Sequence, residues 1–510
     1  MSLRKSLILI VILSGLIYLL VFSLPFPLSQ FYHTIPPVDY AKLTNYSVSG
    51  FALYIVGLAL LFGLYVKAIR LVQPRRQETS PSPSQGRFIL ASGAGLALIL
   101  LFSYPVGAID VLVYALYTRG WAVYGFNPMA IAPAHWPASD PWLGVAAEWV
   151  DAPSPYGPVW ESMSLGTFHL SGGDFLAHVF ALKILAILAY LGCVVLIYVL
   201  LRQSKPNWAA AGTIAFAWNP LVLLETAQNA HNDIVMIFFL LAAVWALTTT
   251  RRQGKETITM IFDGLVCLFL TLSILTKFIT VIVAPFFLLA LIGRRRTWRK
   301  RLAWLMGYGL FTAAIIVVAM WPLWPGWNNW ALVQGADAAG RSIFALVVLS
   351  LRDALGGLGN AFEVSRTLLW GIFALIYGHS LWRLIRIIYR QYAIGTERTE
   401  AVNQQAILSS FLVLFWCVML VMPIFHAWHL LWSLPLAVLL LPQRRPLIAA
   451  IVFSITALFI VPYFETIRVW FPVLLHDQLL GYVIGVPLLA VFPIAALLWP
   501  SRHGAHSQET

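Results

Sequence analysis

Apolar runs recur along the chain with short polar breaks between them. Most runs are long enough to cross a bilayer, which takes about 20 residues of helix. They predict fourteen helices, near 6–24, 49–68, 88–107, 176–201, 208–226, 233–250, 258–275, 278–293, 302–322, 366–384, 405–423, 429–442, 446–463 and 478–499. The runs at 278–293 and 429–442 are short and contain Pro285 and Pro435. They suit re-entrant or broken helices as well as full spans. The expected fold class is all-α, a polytopic integral membrane protein of about 14 transmembrane helices. Residues 1–293 form a core module and 294–510 a C-terminal transmembrane module, with no repeat at a fixed period.

Composition agrees with the pattern. Of 510 residues, 60% are hydrophobic and only 10% charged, against about 25% charged in a soluble domain. Mean hydropathy is +0.82. A soluble enzyme, a disordered chain and a disulfide-stapled secreted domain are excluded. The apolar start after Arg4 and Lys5 runs into Ser-Leu-Pro-Phe-Pro with no small-residue cleavage site, so it reads as an uncleaved first span. Cys193, Cys267 and Cys417 fall in apolar runs without metal-ligand spacing and read as small core hydrophobes.

The net charge of +13 changes meaning once it is mapped. With the N-terminus inside and the spans alternating, 25 of the 33 basic residues fall on the inner side. The largest cluster is Arg294, Arg295, Arg296, Arg299, Lys300 and Arg301. This is the positive-inside bias, so the charge reports orientation and not a nucleic-acid partner. It places both termini in the cytoplasm of a multi-pass cell-membrane protein. Acids gather on the outer side, Asp39, Asp110, Asp151, Glu225 and Glu465 among them. The polar, Pro/Ser-rich stretch 74–86 reads as an inner linker.

The outer loop at 108–175 is too long for a plain connector. Asp110, Tyr114, Tyr117 and Trp121 recur at helical spacing, which predicts an amphipathic helix along the membrane interface with its aromatics at headgroup level. That accounts for the rings but not for Asp110, a carboxylate where a span leaves the bilayer. A helix-start acid favoured by the dipole is the plain alternative. Gly125-Phe126-Asn127-Pro128 is a turn signal. Asp151-Ala152-Pro153-Ser154-Pro155-Tyr156-Gly157-Pro158 fixes an extended backbone that suits either a cleft wall or a structural corner. His231, Asn232 and Asp233 sit between two apolar runs and suit either binding of a sugar hydroxyl or phosphate, or capping of the next helix. Lys277 is a phosphate partner or a snorkelling lysine. His426 and His429 occupy a late outer turn, without tight metal-ligand spacing.

Asp110-x-x-x-Tyr114, Gly-Phe-Asn-Pro at 125–128 and Ser-Pro-Tyr-Gly-Pro at 154–158 resemble the first large outer loop of GT-C glycosyltransferases. Asn219-Pro220-Leu221-Val222-Leu223, Ala230-His231-Asn232-Asp233 and the Leu-Thr-Lys-Phe around Lys277 resemble bacterial polyprenyl-phosphate-mannose-dependent α-mannosyltransferases. The similarity covers roughly 90–290; beyond it only topology and His-Ala-Trp-His-Leu-Leu-Trp at 426–432 are similar. The resemblance implies a GT-C-like fold with an extracytoplasmic active site and Asp110 as the base. A sugar, mannose by the resemblance, would pass with inversion from a polyprenyl-phosphate donor to a glycan or glycolipid acceptor. Tyr114, Asn127, Tyr156, His231, Asn232, Asp233, Lys277, Arg341, His426, His429 and Arg468 are the candidate substrate-binding residues. Arg341 and Arg468 enter as outer-side bases for the donor phosphate.

No cofactor is expected, with a divalent metal left open. The competing functions are a flippase or transporter of lipid-linked sugars, a non-catalytic envelope subunit, and a GT-C transferase of another sugar. Lys183, with Asp263, is the deep charge a transporter reading would rest on. Transport is disfavoured because the other polar groups crowd one face.

Overall fold

The computed structural model describes residues 2–34, 38–74, 83–249, 256–326, 339–394 and 399–499. Most of the linker at 74–86, the bases Arg75, Arg76, Arg251, Arg252, Lys255, Arg398 and Arg502, and the C-terminus lie outside them. The architecture is helical. Among the described residues β-pairing is limited to two isolated bridges, Pro27 with Ser103 and Gly340 with Ile424.

Ten helices are long and apolar enough to cross a membrane, or eleven when Pro220–Gln228 and Asp233–Thr249 are taken as one span bent by 117°. The expectation of fourteen spans is corrected to this number among the described residues. All fourteen apolar runs are helical, but four are too short or too broken to cross alone. The run at 208–226 is cut at Asn219-Pro220, where the Asn219 side chain caps the new helix by accepting from Leu221 and Val222 N–H. The runs at 278–293 and 429–442 become the short helices Phe278–Ile292 and Ala427–Leu439. Each begins as a 3-10 stretch, and Pro285 and Pro435 sit in the first turn of the α-helical parts that follow, Ala284–Ile292 and Leu434–Leu439, where a proline fits a helix start but not an interior.

Burial separates central from peripheral spans. The most apolar window of Thr399–Val421 is 72% buried and that of Arg444–Trp470 61%, whereas only 6% of the Trp298–Leu323 window is buried. Leu310, Val317, Val318 and Trp321 on that outer helix are exposed; a surface of this kind is covered by lipid in a bilayer. The three cysteines are buried and free.

Helix Asp110–Tyr124 exists as expected, but it does not lie with its aromatic face toward headgroups. Residues Val111 to Thr118 are all buried, Tyr114 and Tyr117 among them. The reason is in the sequence. Val111, Leu112, Val113, Ala115 and Leu116 fill the positions between the aromatics, so both faces are apolar enough to pack. The helix ends at Gly125, whose φ of 68° lets the Gly125 and Phe126 N–H groups turn back to the Trp121 and Gly120 carbonyls.

The deep charges are spoken for. Lys183 donates to the Ser103 and Gln228 carbonyls at 2.7 and 2.6 Å. Asp263 is held by Arg294 at 3.2 Å and by Arg295, and accepts from the Trp304 ring N–H. Neither lines the large cavity described next.

Candidate active site

Four segments converge on one place. The first is the start of helix Asp110–Tyr124. Asp110 is the acid of its first turn, and its Oδ1 accepts from the Tyr156 hydroxyl at 3.1 Å.

The second segment carries Tyr156. Its backbone is fixed by the Ser154 N–H on the Pro128 carbonyl at 2.7 Å, by the Tyr117 hydroxyl on the Ala152 carbonyl at 2.9 Å, and by the Ser154 hydroxyl on Glu161. Gly157 is required by a close approach. A Cβ there would lie 2.0 Å from the Leu275 carbonyl oxygen, and its N–H donates to the Thr276 carbonyl at 3.1 Å. Pro158 then opens helix Pro158–Leu170. The loop is thereby pinned to the end of helix Glu256–Thr276, one residue before Lys277. Tyr114 meets the Tyr156 ring edge-on at 4.9 Å. Burial, then the neighbouring Tyr114 and Asp110, push the Tyr156 phenol well above its ordinary pKa. It therefore stays protonated and keeps donating. Burial also raises Glu161, behind the loop, to about 7.

The third segment is the bend at 229–232. The π-helical turn Leu224–Gln228 and Ala230 at φ 55° reverse the chain, a conformation an alanine rarely adopts. The turn brings Glu225 against Asn229, whose amide donates to it at 2.9 Å. It also brings Glu225 within 3.1 Å of His231 Nε2, off the direction of a good hydrogen bond. His231 Nδ1 lies 4.0 Å from Asp110 Oδ1. Asn229 accepts from the Gly107 N–H at 3.2 Å, tying the bend to the approach to Asp110.

The fourth segment is the late turn. His231 stacks on Trp428 at 4.0 Å, and Trp428 stacks on His426 at 4.1 Å. Trp432 donates its ring N–H to Asp233. Lys277 stands 2.9 Å from both Asp233 oxygens, with the Tyr156 and Trp432 rings 5.7 and 5.8 Å away. Burial, then Arg341, His231 and Lys277, hold His426 well below the ordinary histidine pKa, so it is neutral.

Together these groups border a cavity of about 1110 Å³. Asp110, Tyr156, Lys277, Arg341, His426 and His429 line it. Tyr114, His231, Asn232 and Asp233 do not; they are buried in the wall behind it. Asp233 is paired with Lys277 behind the cavity wall, and the Asn232 amide is buried with no hydrogen-bond partner among the described residues. Asn127 is elsewhere: its side chain closes its own turn at Met129 N–H and reaches the Trp324 carbonyl. Arg468 is also elsewhere, bonded to the Leu474 carbonyl and lying over Phe464 and Tyr482. Sequence reasoning missed Glu225, Asn229, Trp428 and Trp432 as site-builders. The i,i+4 pair Glu225–Asn229 at the end of an apolar run was the available signal. The tryptophans gave none in a chain with 21 of them. Among the described residues no three His, Cys, Asp or Glu groups are placed to hold a metal ion.

Residues 17–293 match the family model described as MptA_B family, alpha-(1->6)-mannopyranosyltransferase, N-terminal domain. The chain belongs to the MptA_B family. The region matched to the MptA_B family holds Asp110, Tyr156, the bend at 229–232 and Lys277. No curated protein matches it significantly. Among solved structures, it is similar to the Archaeoglobus fulgidus oligosaccharyltransferase with Zn and sulfate, at 14% identity and TM-score 0.38, over 80% of this chain and 53% of that one. It is similar also to archaeal AglB from the same organism with an inhibitory peptide and a dolichol-phosphate, at 12% identity and TM-score 0.38, over 81% and 56%. The chain spans about half the length of those proteins.

Proposed function

We propose that this MptA_B-family chain transfers a mannosyl unit from a polyprenyl-phosphate donor to a glycan or glycolipid acceptor on the extracytoplasmic face of the cell membrane. The observation that carries the reading is the convergence of Asp110, Tyr156 and Lys277 on one cavity inside a helical, lipid-exposed bundle.

The acceptor hydroxyl oxygen attacks the anomeric carbon. The bond from that carbon to the phosphate oxygen breaks, its electron pair leaving with the phosphate. Asp110 takes the hydroxyl proton, a step worth about 10²–10⁴-fold. A phosphate leaves without the acid that an alkoxide needs, so one carboxylate suffices. Lys277 meets the charge that develops on the leaving phosphate. Its own counter-ion Asp233 is fully buried, so the cavity meets only the ammonium. Tyr156 holds Asp110 in place. Displacement inverts the anomeric carbon, so an α-linked product calls for a β-linked donor. The donor face is assigned outward because the lining acids come from outer segments and the basic cluster 294–301 from an inner one.

The test is transfer by purified protein in lipid nanodiscs with a panel of polyprenyl-phosphate sugars. Turnover of the mannosyl donor is expected. Turnover of only a glucosyl or arabinosyl donor overturns the sugar, and none with any donor overturns the reaction.

A further inference from the structure

The cavity has a second cluster of charged groups that the transfer chemistry does not use. Asp39, Lys42, Arg341 and Glu465 all line it. Arg341 pairs with Glu465, and Lys42 with Asp39 at 3.8 Å. Unlike Asp233, both acids show themselves to the cavity: the Asp39 side chain is 30% exposed and that of Glu465 24%.

Both halves of the Arg341–Glu465 pair rest on unusual backbone. Arg341 has a φ of 56°. It is held there by the Gly340 N–H on the Pro423 carbonyl, the Phe425 N–H on the Gly340 carbonyl, and the Ser342 hydroxyl on the Pro423 carbonyl. Glu465 sits in the π-helical turn Tyr463–Ile467, just after Pro462. A left-handed residue other than glycine is strained. A part-exposed ion pair contributes little to stability. As a stabilising device the pair does not offset its own backbone, and such features gather at ligand sites.

The chemistry of this cluster differs from that at Lys277. Each cation shares the cavity with its anion, so no net charge is offered to a phosphate. What is offered is a dense set of fixed guanidinium and ammonium donors and carboxylate acceptors. That set complements a neutral ligand whose every hydroxyl both donates and accepts. At about 1110 Å³ the cavity also exceeds the roughly 300–1,000 Å³ of a single small-molecule site.

We propose that Asp39, Lys42, Arg341 and Glu465 form the subsite for the acceptor saccharide, leaving Lys277 to the donor phosphate. This moves Arg341 from the phosphate role expected from sequence to a sugar role. It rests on the transfer reading, but its test does not use turnover.

The full chain in nanodiscs is titrated with two probes, octyl α-D-mannopyranosyl-(1→6)-α-D-mannopyranoside and dodecyl phosphate. Wild type is expected to bind both saturably. Glu465→Gln and Asp39→Asn should each weaken the disaccharide about tenfold or more and leave dodecyl phosphate within about twofold. Lys277→Gln should do the reverse. Failure of wild type to bind the disaccharide overturns the proposal. So does loss of phosphate rather than saccharide in the Glu465 and Asp39 variants, or no change in either. Should Glu465→Gln not fold, Asp39→Asn decides alone, since Asp39 caps the short helix Tyr40–Leu43 by accepting from the Lys42 N–H, a role asparagine also fills. Absence of turnover with every donor would sink the transfer reading while leaving these affinities as they are.

Discussion

Lys277 places its ammonium 2.9 Å from each carboxylate oxygen of Asp233, and of the two only the lysine reaches the cavity. Removing the lysine strands a fully buried carboxylate, a loss of about 3–5 kcal/mol. Lys277→Ala should therefore unfold at markedly lower denaturant in detergent. Lys277→Ala with Asp233→Asn should recover most of that stability and none of the transfer activity. A double variant as unstable as the single one would show that the pair is not what couples these positions.

Tyr156 donates to Asp110 at 3.1 Å while its ring packs against Tyr114. Tyr156→Phe keeps the ring and removes one charge-assisted bond, worth about 1.5–3 kcal/mol. Transfer should fall about tenfold or more with the fold retained. Unchanged kcat/KM would remove Tyr156 from the positioning of the base.

Gly157 and Gly166 separate close approach from helix propensity. A Cβ on Gly157 meets the Leu275 carbonyl, whereas one on Gly166, in the same helix region, meets nothing within 4 Å. Gly157→Ala should destabilise by about 1–3 kcal/mol or more and lower activity by displacing Tyr156. Gly166→Ala should stabilise by about 0.5–1 kcal/mol. Thermal unfolding of the two variants side by side checks both signs.

Glu161 is buried with Ser154 as its hydrogen-bond donor, and burial raises its pKa to about 7 from 4.5. The folded state then holds the proton more tightly than the unfolded chain. The resulting stability is full below about pH 4.5 and is lost as pH rises through 7. The change is on the order of 3 kcal/mol. Glu161→Gln should flatten the stability profile between pH 5 and 8. A wild-type profile that is already flat there would show that the carboxyl stays ionised.

Much of the site was legible because its residues break an apolar background. Asp110, Tyr156, the His231-Asn232-Asp233 run and Lys277 each stand where a membrane chain has little reason for polarity, and the fold brings all of them to one cavity or its wall. What the pattern did not show was which of them face the cavity. His231 and Asp233 lie behind it because the 117° bend and the left-handed Ala230 turn them inward, and no periodicity encodes such a bend. Hydropathy found every apolar run but overcounted spans, since it registers neither the break at Asn219-Pro220 nor the bend that joins two runs into one span. Arg468 was chosen for charge and side, and neither says that a guanidinium will settle on the Leu474 carbonyl of the next short helix. Helix Asp110–Tyr124 was read from its aromatic face, while its other face is apolar too.

The most direct measurement is transfer from polyprenyl-phosphate-mannose to octyl α-(1→6)-dimannoside by wild type and Asp110→Asn, purified in the same nanodiscs. Wild type should extend the acceptor by one mannose. Asp110→Asn should keep its unfolding midpoint and lose at least about a hundredfold in rate. A variant that retains activity within tenfold of wild type would contradict Asp110 as the base.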